Sequence, residues 1–517
     1  MRGPWPPRDS TSTLALALIA CLAGCAAREE AVELRPGRII LLSMDTVRAD
    51  HVTGYGSATT TPTLGEIAAE GVLFLDSYAA SSYTIPSHAS IFTGLDAIEH
   101  GVIVDFARIA PDVTTLAEAL ASAGYRTQGF HEGVYVDARF GFDRGFDAYV
   151  RRPRNGVVSD SLPTLLEWMR SAADEPYFLF LHTYAAHYPY GGFERYRREH
   201  PERGLPSDAE IRGLHRRYSP DRARARGIPS ETRLICTLYN HLATSRNSML
   251  ACGDRYLPAN FPETPHFELD RAALTASYDE RIGHIDRALA RIRSTLLDLG
   301  QWEDTLLVVT ADHGEAFFEH GLPRHDYVPF DEVLKVPLVV SYPRLLRSRG
   351  VRRVAGLTWH LDLMPTILSL AGIPDPGRPQ GIDLTPAMLG DTRIPDDRTI
   401  YPAVLSAPNR PPMPLRRAAV QGGLKYIEGH PRFGNERGYL FDLKRDPEER
   451  NNLRGSRESQ FREFSERVVR YGRRLEPHAP VHQKTGRPVV SSEEQPGPGV
   501  DLSAEEVEQL RELGYVD

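Results

Sequence analysis

Short apolar runs alternate along the chain with stretches of helical period. Arg38-Ile39-Ile40-Leu41-Leu42-Ser43-Met44 is an apolar run of strand length, the pattern of a strand covered on both faces. Tyr125–Phe130, Tyr177–Leu181 and Thr305–Thr310 read the same way. Leu116, Ala119, Leu120 and Ala123 share one helical face of Thr115–Ala123, and Gly124 is placed to cap it. Leu274, Tyr278, Ile282, Ile285, Leu289, Ile292 and Leu296 recur every three or four residues, which predicts one long helix closed by Gly300. Strands alternating with helices predict an α/β fold: a largely parallel central sheet with helices on both faces.

Residues 190–265 break that rhythm. Ten arginines fall between Arg195 and Arg226, and Cys236 and Cys252 follow. This reads as an insertion at one edge of the sheet, either a solvated excursion or a lid. The expected organisation is a main α/β domain over 38–395, a small C-terminal subdomain over 396–455, and a tail over 456–517. The tail holds a helix, a Pro/Gly-rich linker at 473–500 and a terminal helix. A capping box at Ser503-Ala504-Glu505-Glu506 marks the start of that last helix.

The first residues predict an address. Arg2 and Arg8 precede ten apolar or small residues, Leu14 to Ala23, and Leu22-Ala23-Gly24-Cys25 closes the segment. Ten residues are too few to cross ~30 Å of hydrocarbon, so 1–25 reads as a secretory signal. Its ending resembles a bacterial lipobox, with Cys25 as the lipidated residue. An ordinary signal cut after Gly24 is the alternative. Both predict export, to the bacterial periplasm or cell surface, and the first adds membrane attachment through an N-terminal lipid anchor. In an oxidising compartment Cys236 and Cys252 are candidates for a disulfide, with two free buried cysteines as the alternative. At 517 residues and 25% charged, the chain is long enough for two or more domains. A net charge of −8 argues against nucleic acid as a partner.

The chemistry is expected beyond the carboxyl ends of the strands, where ligands bind in open α/β sheets. Asp45 directly follows one predicted strand, and Asp312-His313 follows another. A strand-end Asp is often only a helix cap, but two such carboxylates with an adjacent imidazole suit one divalent ion, Mn²⁺, Zn²⁺, Ca²⁺ or Mg²⁺. In Ser82-Tyr83-Thr84-Ile85-Pro86-Ser87-His88, Pro86 fits a first helical turn, with Thr84 just ahead of the helix. Alone, Thr84 would be an N-cap. Beside metal ligands its hydroxyl becomes a candidate nucleophile, since backbone N–H groups and the helix dipole favour negative charge there.

Asp45 with Val47-Arg48-Ala49-Asp50, Thr84-Ile85-Pro86-Ser87-His88, and Ala311-Asp312-His313-Gly314-Glu315 resemble, in that order, the motifs of sulfatases in the alkaline phosphatase superfamily. Tyr278-Asp279, Asp286, Phe441-Asp442-Leu443, Asp446-Pro447-Glu448 and Asn452-Leu453 add to the likeness, which runs over about residues 38 to 455. It implies an alkaline-phosphatase-like fold, a metal held by Asp45, Asp312, His313 and Thr84, and a hydrolase of phosphoric or sulfuric esters.

The departures are informative. Sulfatases carry Cys or Ser at position 84, oxidised to formylglycine, whereas oxidised threonine would be a ketone. The usual Arg four residues on is His88, and the second Asp of the usual pair is Thr46. A threonine nucleophile resembles the phosphoethanolamine and phosphoglycerol transferases of the superfamily, as does His325, twelve residues after His313. The resemblance therefore implies a phosphate (di)ester hydrolase in which Thr84 attacks phosphorus and water cleaves the intermediate. His187 and His325 are candidates for orienting substrate or protonating the leaving group, and His88 for touching the oxyanion. A sulfuric ester hydrolase without formylglycine and a non-catalytic surface binding protein are the alternatives. The expected substrate is a small-molecule, lipid or glycan ester.

Overall fold

The computed structural model describes residues 35–482 apart from 58–59, 104–106, 153–157, 160, 188–189, 191–266, 318, 321–322, 326–328, 351, 378–379, 405–414 and 430–436. Cys25, Cys236, Cys252, the signal segment, nearly all of the arginine-rich insertion and the terminal helix lie outside the described residues.

The main body follows the predicted alternation: β1 (Arg38–Met44), α1 (Pro62–Glu70), β2 (Val72–Tyr78), α2 (Thr84–Thr93), α3 (Leu116–Ser122), β3 (Arg126–Glu132), β4 (Ala148–Arg152), α4 (Leu162–Ser171), β5 (Tyr177–Thr183), α5 (Phe267–Asp298), β6 (Thr305–Thr310), β7 (Leu338–Ser341), β8 (Arg353–Trp359) and α6 (Leu363–Leu370). The strands form one eight-stranded sheet in the order β8-β2-β7-β6-β1-β5-β3-β4. Only β7 runs antiparallel to its neighbours, so the carboxyl ends of the other seven share one edge.

The apolar run of β1 is explained by the layers. Ile40, Leu42 and Met44 pack with α1, α4 and α5, while Ile39 and Leu41 pack with α2, α3 and α6. Alternate side chains leave opposite faces of a strand, and both faces here are covered, so the run from Ile39 to Met44 is apolar except at Ser43, which is buried against His88. Thr115 begins α3 in a reciprocal capping box with Glu118, and Gly300 closes the long helix at φ 67, as its position predicts.

A second, antiparallel sheet holds β9 (Ala403–Val404), β10 (Arg416–Gln421), β11 (Leu424–Ile427) and β12 (Tyr439–Asp442). One face meets the main body through Ala418, Val420, Ile427 and Phe441. The other is covered by α7 (Glu458–Arg474), through Phe461, Phe464 and Val468. A buried Arg417–Asp96 pair, two contacts of 2.7 Å, ties this sheet to the end of the α2 segment.

The predicted linker differs at its start. His478 N–H donates to the Ile98 carbonyl, and Val481–His482 pairs with Ala107–Arg108, so the described part of the stretch runs along the main body. Proline-rich chain can still use its remaining N–H groups to dock. Among the described residues, no helix is long and apolar enough to cross a membrane.

Candidate active site

Three carboxyl-end segments converge. β1 ends at Met44 and delivers Asp45; β6 ends at Thr310 and delivers Asp312 and His313; α2 delivers Thr84. All four side chains are buried. One ligand atom from each of Asp45, Asp312 and His313 lies within 4.8 Å of the others, and Thr84 Oγ1 is 3.2 Å from His313 Nε2. Thr84 is the first residue of α2 rather than the residue ahead of it. Tyr83 stands at the cap with extended φ −141, and its side chain makes no capping bond, which leaves the Thr84 hydroxyl facing the cluster.

The turn after β1 is unusual. Thr46 has φ 60, a left-handed conformation that a β-branched side chain resists. It is held from three sides. Thr46 N–H donates to Asp312 Oδ1 at 3.1 Å, its hydroxyl to the Asp45 carbonyl at 2.7 Å, and its own carbonyl accepts from Tyr278 Oη at 2.6 Å. Tyr278 on α5 also accepts from Arg48 N–H. The long helix thus braces the turn that aims Asp45. Its other motif residues are structural: Asp279 pairs with His51, and Asp286 accepts the N–H groups of Thr63 and Leu64 at the start of α1.

The predicted histidines reach this place by different routes. His187, past the end of β5, has Nε2 4.0 Å from Asp45 Oδ1. The His325 ring lies 4.4 Å from that of His313 and 5.3 Å from that of His187, centroid to centroid. Its Nδ1 is 3.0 Å from Glu315 Oε1, while Glu315 Oε2 accepts from Tyr190 Oη at 2.8 Å. His88 sits behind the carboxylate: Nδ1 donates to the Thr84 carbonyl, Nε2 meets Ser43 Oγ, and Asp312 Oδ2 is 3.6 Å from Nδ1. Both its nitrogens are therefore engaged in orienting α2 and Asp312.

Sequence reading missed His182, Glu132 and His360, and named Glu315 within a motif without giving it a role. His182, in β5, has Nδ1 3.1 Å from the Glu132 carbonyl and Nε2 3.3 Å from Asp45 Oδ2. Glu132, at the end of β3, accepts from Tyr184 N–H and Thr183 Oγ1. His360, directly after β8, accepts Ala80 N–H at Nδ1, meets Ser87 Oγ there at 2.9 Å, and donates from Nε2 to the Ala311 carbonyl. It ties the loop before Thr84, the helix α2 and the strand end before Asp312. The available signal was a polar residue at the carboxyl end of a buried run.

These groups fit a divalent cation. Burial lowers the pKa of His88 and His182, and pushes His313 down to about 4 and His360 to about 3, so their rings are neutral at pH 7. Burial alone would raise the Asp312 carboxyl, but the imidazoles of His313, His88 and His182 outweigh it and hold it below the usual range. Two carboxylates among neutral rings leave buried negative charge, and Asp312 Oδ2 accepts no hydrogen bond among the described residues. His313 Nδ1 donates to the Gly314 carbonyl at 3.0 Å, which leaves the Nε2 lone pair facing Asp312 Oδ2 and Thr84. A cation at that point would take two carboxylates and an imidazole as ligands.

The fold and donor set suit an ester hydrolase, with a buried cluster able to hold a divalent ion beside the Thr84 hydroxyl. Comparison with known proteins sharpens this: residues 38–373 match the sulfatase family model and 319–470 the C-terminal model of N-sulphoglucosamine sulphohydrolase, so the chain belongs to the sulfatase family. An N-acetylglucosamine-6-O-sulfatase of Bacteroides thetaiotaomicron is 25% identical, the match covering 87% of this chain and 88% of that one. A Δ4,5-hexuronate-2-O-sulfatase of the same organism is 23% identical over 84% and 87%. Among solved structures, the phosphonate monoester hydrolase of Agrobacterium radiobacter superposes with TM-score 0.64 at 20% identity, over 85% of this chain and 96% of that one. A protein solved with its substrate D-glucosamine-2-N,6-O-disulfate gives 0.63 at 20%, over 85% and 98%. These two likenesses concern the fold. The chain is a sulfatase-family hydrolase.

Proposed function

We propose that the protein hydrolyses sulfate esters carried on a sugar, without formylglycine. The carrying observation is the Asp45–Asp312–His313 cluster with Thr84 at its edge, in a chain whose full-length curated relatives are named sulfatases of amino sugars and hexuronates. This reverses the order implied by Thr84 alone, which put phosphate esters first.

A divalent cation held by Asp45, Asp312 and His313 supplies charge neutralisation for the ester oxygens. Everything else falls to side chains. Direct attack by Thr84 on sulfur would leave a sulfo-threonine with no aldehyde hydrate to expel the sulfate. We therefore assign Thr84 a positioning role: its hydroxyl fixes a sulfate oxygen at the helix N-terminus. Water forms the new S–O bond and the ester S–O bond breaks with its electron pair. The departing alcohol oxygen takes a proton from the protonated imidazole of His187 or His325, one proton of the attacking water passes to solvent, and the imidazole regains its proton from solvent. His182 and Glu132 hold the Asp45 side of the pocket, and His360 holds the Thr84 side.

Thr84 itself favours a second reading, in which its hydroxyl attacks a phosphate ester and water cleaves the phospho-threonine. Initial rates on N-acetylglucosamine 6-sulfate and on matched aryl phosphates, with Mn²⁺ or Zn²⁺, separate the two. Faster sulfate release supports the proposal; turnover of phosphates alone overturns it.

The N-terminal segment extends the proposal to location: an exported protein anchored through Cys25. Radiolabelled palmitate incorporated by the wild type and not by Cys25→Ala is the expected result; equal labelling contradicts it.

A further inference from the structure

A second group of ligand-type side chains lies where the two sheets meet. One ligand atom from each of His320, Glu332 and Glu449 lies within 4.8 Å of the others. His320 Nε2 is 3.6 Å from Glu332 Oε1, and Phe330 stacks on the imidazole at 3.7 Å between centroids, which fixes its plane. Glu449 has φ 52, and its Oε2 accepts Asp331 N–H at 2.6 Å. A non-glycine residue in that conformation is held where its surroundings require it.

The telling atom is Glu332 Oε1. The Glu332 side chain is 8% exposed, and this oxygen accepts no hydrogen bond among the described residues. Among the described residues no Lys or Arg pairs with Glu332; Lys425 reaches Asp331 at 2.6 Å and Glu449 at 2.9 Å instead, and Arg48 binds Asp50 and Glu319. Lys335 pairs with Asp76, and Arg450 with Glu448. A cavity of about 720 Å³, lined by carboxylates such as Glu319 and Glu448 and by basic residues such as Arg48, Lys335 and Arg450, reaches Glu332 and gives water and ions a way in.

We propose that His320, Glu332 and Glu449 bind a divalent transition cation of the Zn²⁺ or Mn²⁺ class, apart from the Asp45–Asp312–His313 cluster. One imidazole with two carboxylates suits those ions better than Ca²⁺, which prefers oxygen alone. The ion would cross-link His320 and Glu332 of the main body to Glu449 beyond the second sheet, so its consequence is mechanical attachment of the C-terminal subdomain.

The test is metal content of the full chain after equilibrium dialysis against Zn²⁺, and separately Mn²⁺, in wild type, Asp312→Ala, Glu332→Gln and His320→Ala. Two equivalents in wild type and one in each variant are expected. Zn²⁺ should still raise the thermal midpoint of Asp312→Ala, and fail to do so in the Asp312→Ala/Glu332→Gln double variant. Glu332→Gln is nearly isosteric, and His320 is only partly buried, so one of the two should fold even where the other does not. A wild type with one equivalent, lost in Asp312→Ala, would overturn the site. Two equivalents in both Glu332→Gln and His320→Ala would do the same.

Discussion

Thr84 Oγ1 stands 3.2 Å from His313 Nε2, and the tautomer of that ring is set by Gly314 on its far side. The Nδ1 proton is spent on a carbonyl, so the lone pair at Nε2 points at the hydroxyl and at Asp312 Oδ2, 3.4 Å away. An imidazole, a carboxylate and a hydroxyl thus share one small volume at a helix N-terminus. The predictions below follow from that geometry.

Asp312→Ala should remove the divalent ion from this cluster and abolish ester hydrolysis, with the fold retained. Metal analysis beside far-UV circular dichroism checks it. Full activity in a metal-free variant would exclude the assigned ligand set.

Thr84→Ala should slow sulfate release by about 10²–10³-fold, the usual cost of one transition-state hydrogen-bond donor, while Thr84→Ser should restore most of the rate. Because the role is positioning, some turnover survives. Complete loss in Thr84→Ala would instead mark the hydroxyl as nucleophile.

His360 is outside the Asp45–Asp312–His313 group, yet it joins Ala80, Ser87 and Ala311. His360→Ala should therefore weaken metal affinity by about 10–100-fold, as outer partners of metal ligands do, and His360→Gln should recover part of it. An unchanged metal Kd in His360→Ala would show that those contacts serve packing alone.

Acid should unfold the metal-free protein earlier than its carboxylates alone would dictate. Burial pushes His100 and His313 down to about 4, and His131 and His360 to about 3. In the unfolded chain they titrate near ~6.5, so below that pH unfolding takes up protons and stability falls. The loss should develop from about pH 6.5 down to about 3. Denaturant midpoints across that window check it, and a flat profile would contradict the buried neutral rings.

Much of this arrangement was legible in the sequence because a strand covered on both faces leaves no freedom in its composition. The run Arg38–Met44 announced itself, and the next residue, Asp45, stood out as the first carboxylate. Thr305–Thr310 marked Asp312 and His313 in the same way. His182 escaped notice since it lies inside its strand: a lone imidazole in Tyr177–Thr183 looks like a packing residue until Asp45 is seen beside it. His360 was illegible for another reason. Its partners are 49, 273 and 280 residues away in sequence, and only the closed sheet brings them together. The second sheet was expected as a small subdomain, but the Arg417–Asp96 pair that locks it to the main body spans 321 residues and has no local trace.

The central claim is sulfate-ester hydrolysis at a Thr84 site. It is tested most directly by rates on an aryl sulfate, an aryl phosphomonoester and an aryl phosphodiester, with wild type and Thr84→Ala side by side in Mn²⁺. The account predicts that the wild type turns over the sulfate fastest and that Thr84→Ala retains a reduced but measurable sulfate rate. Phosphate-ester turnover that Thr84→Ala abolishes, with no sulfate released by either protein, would contradict it.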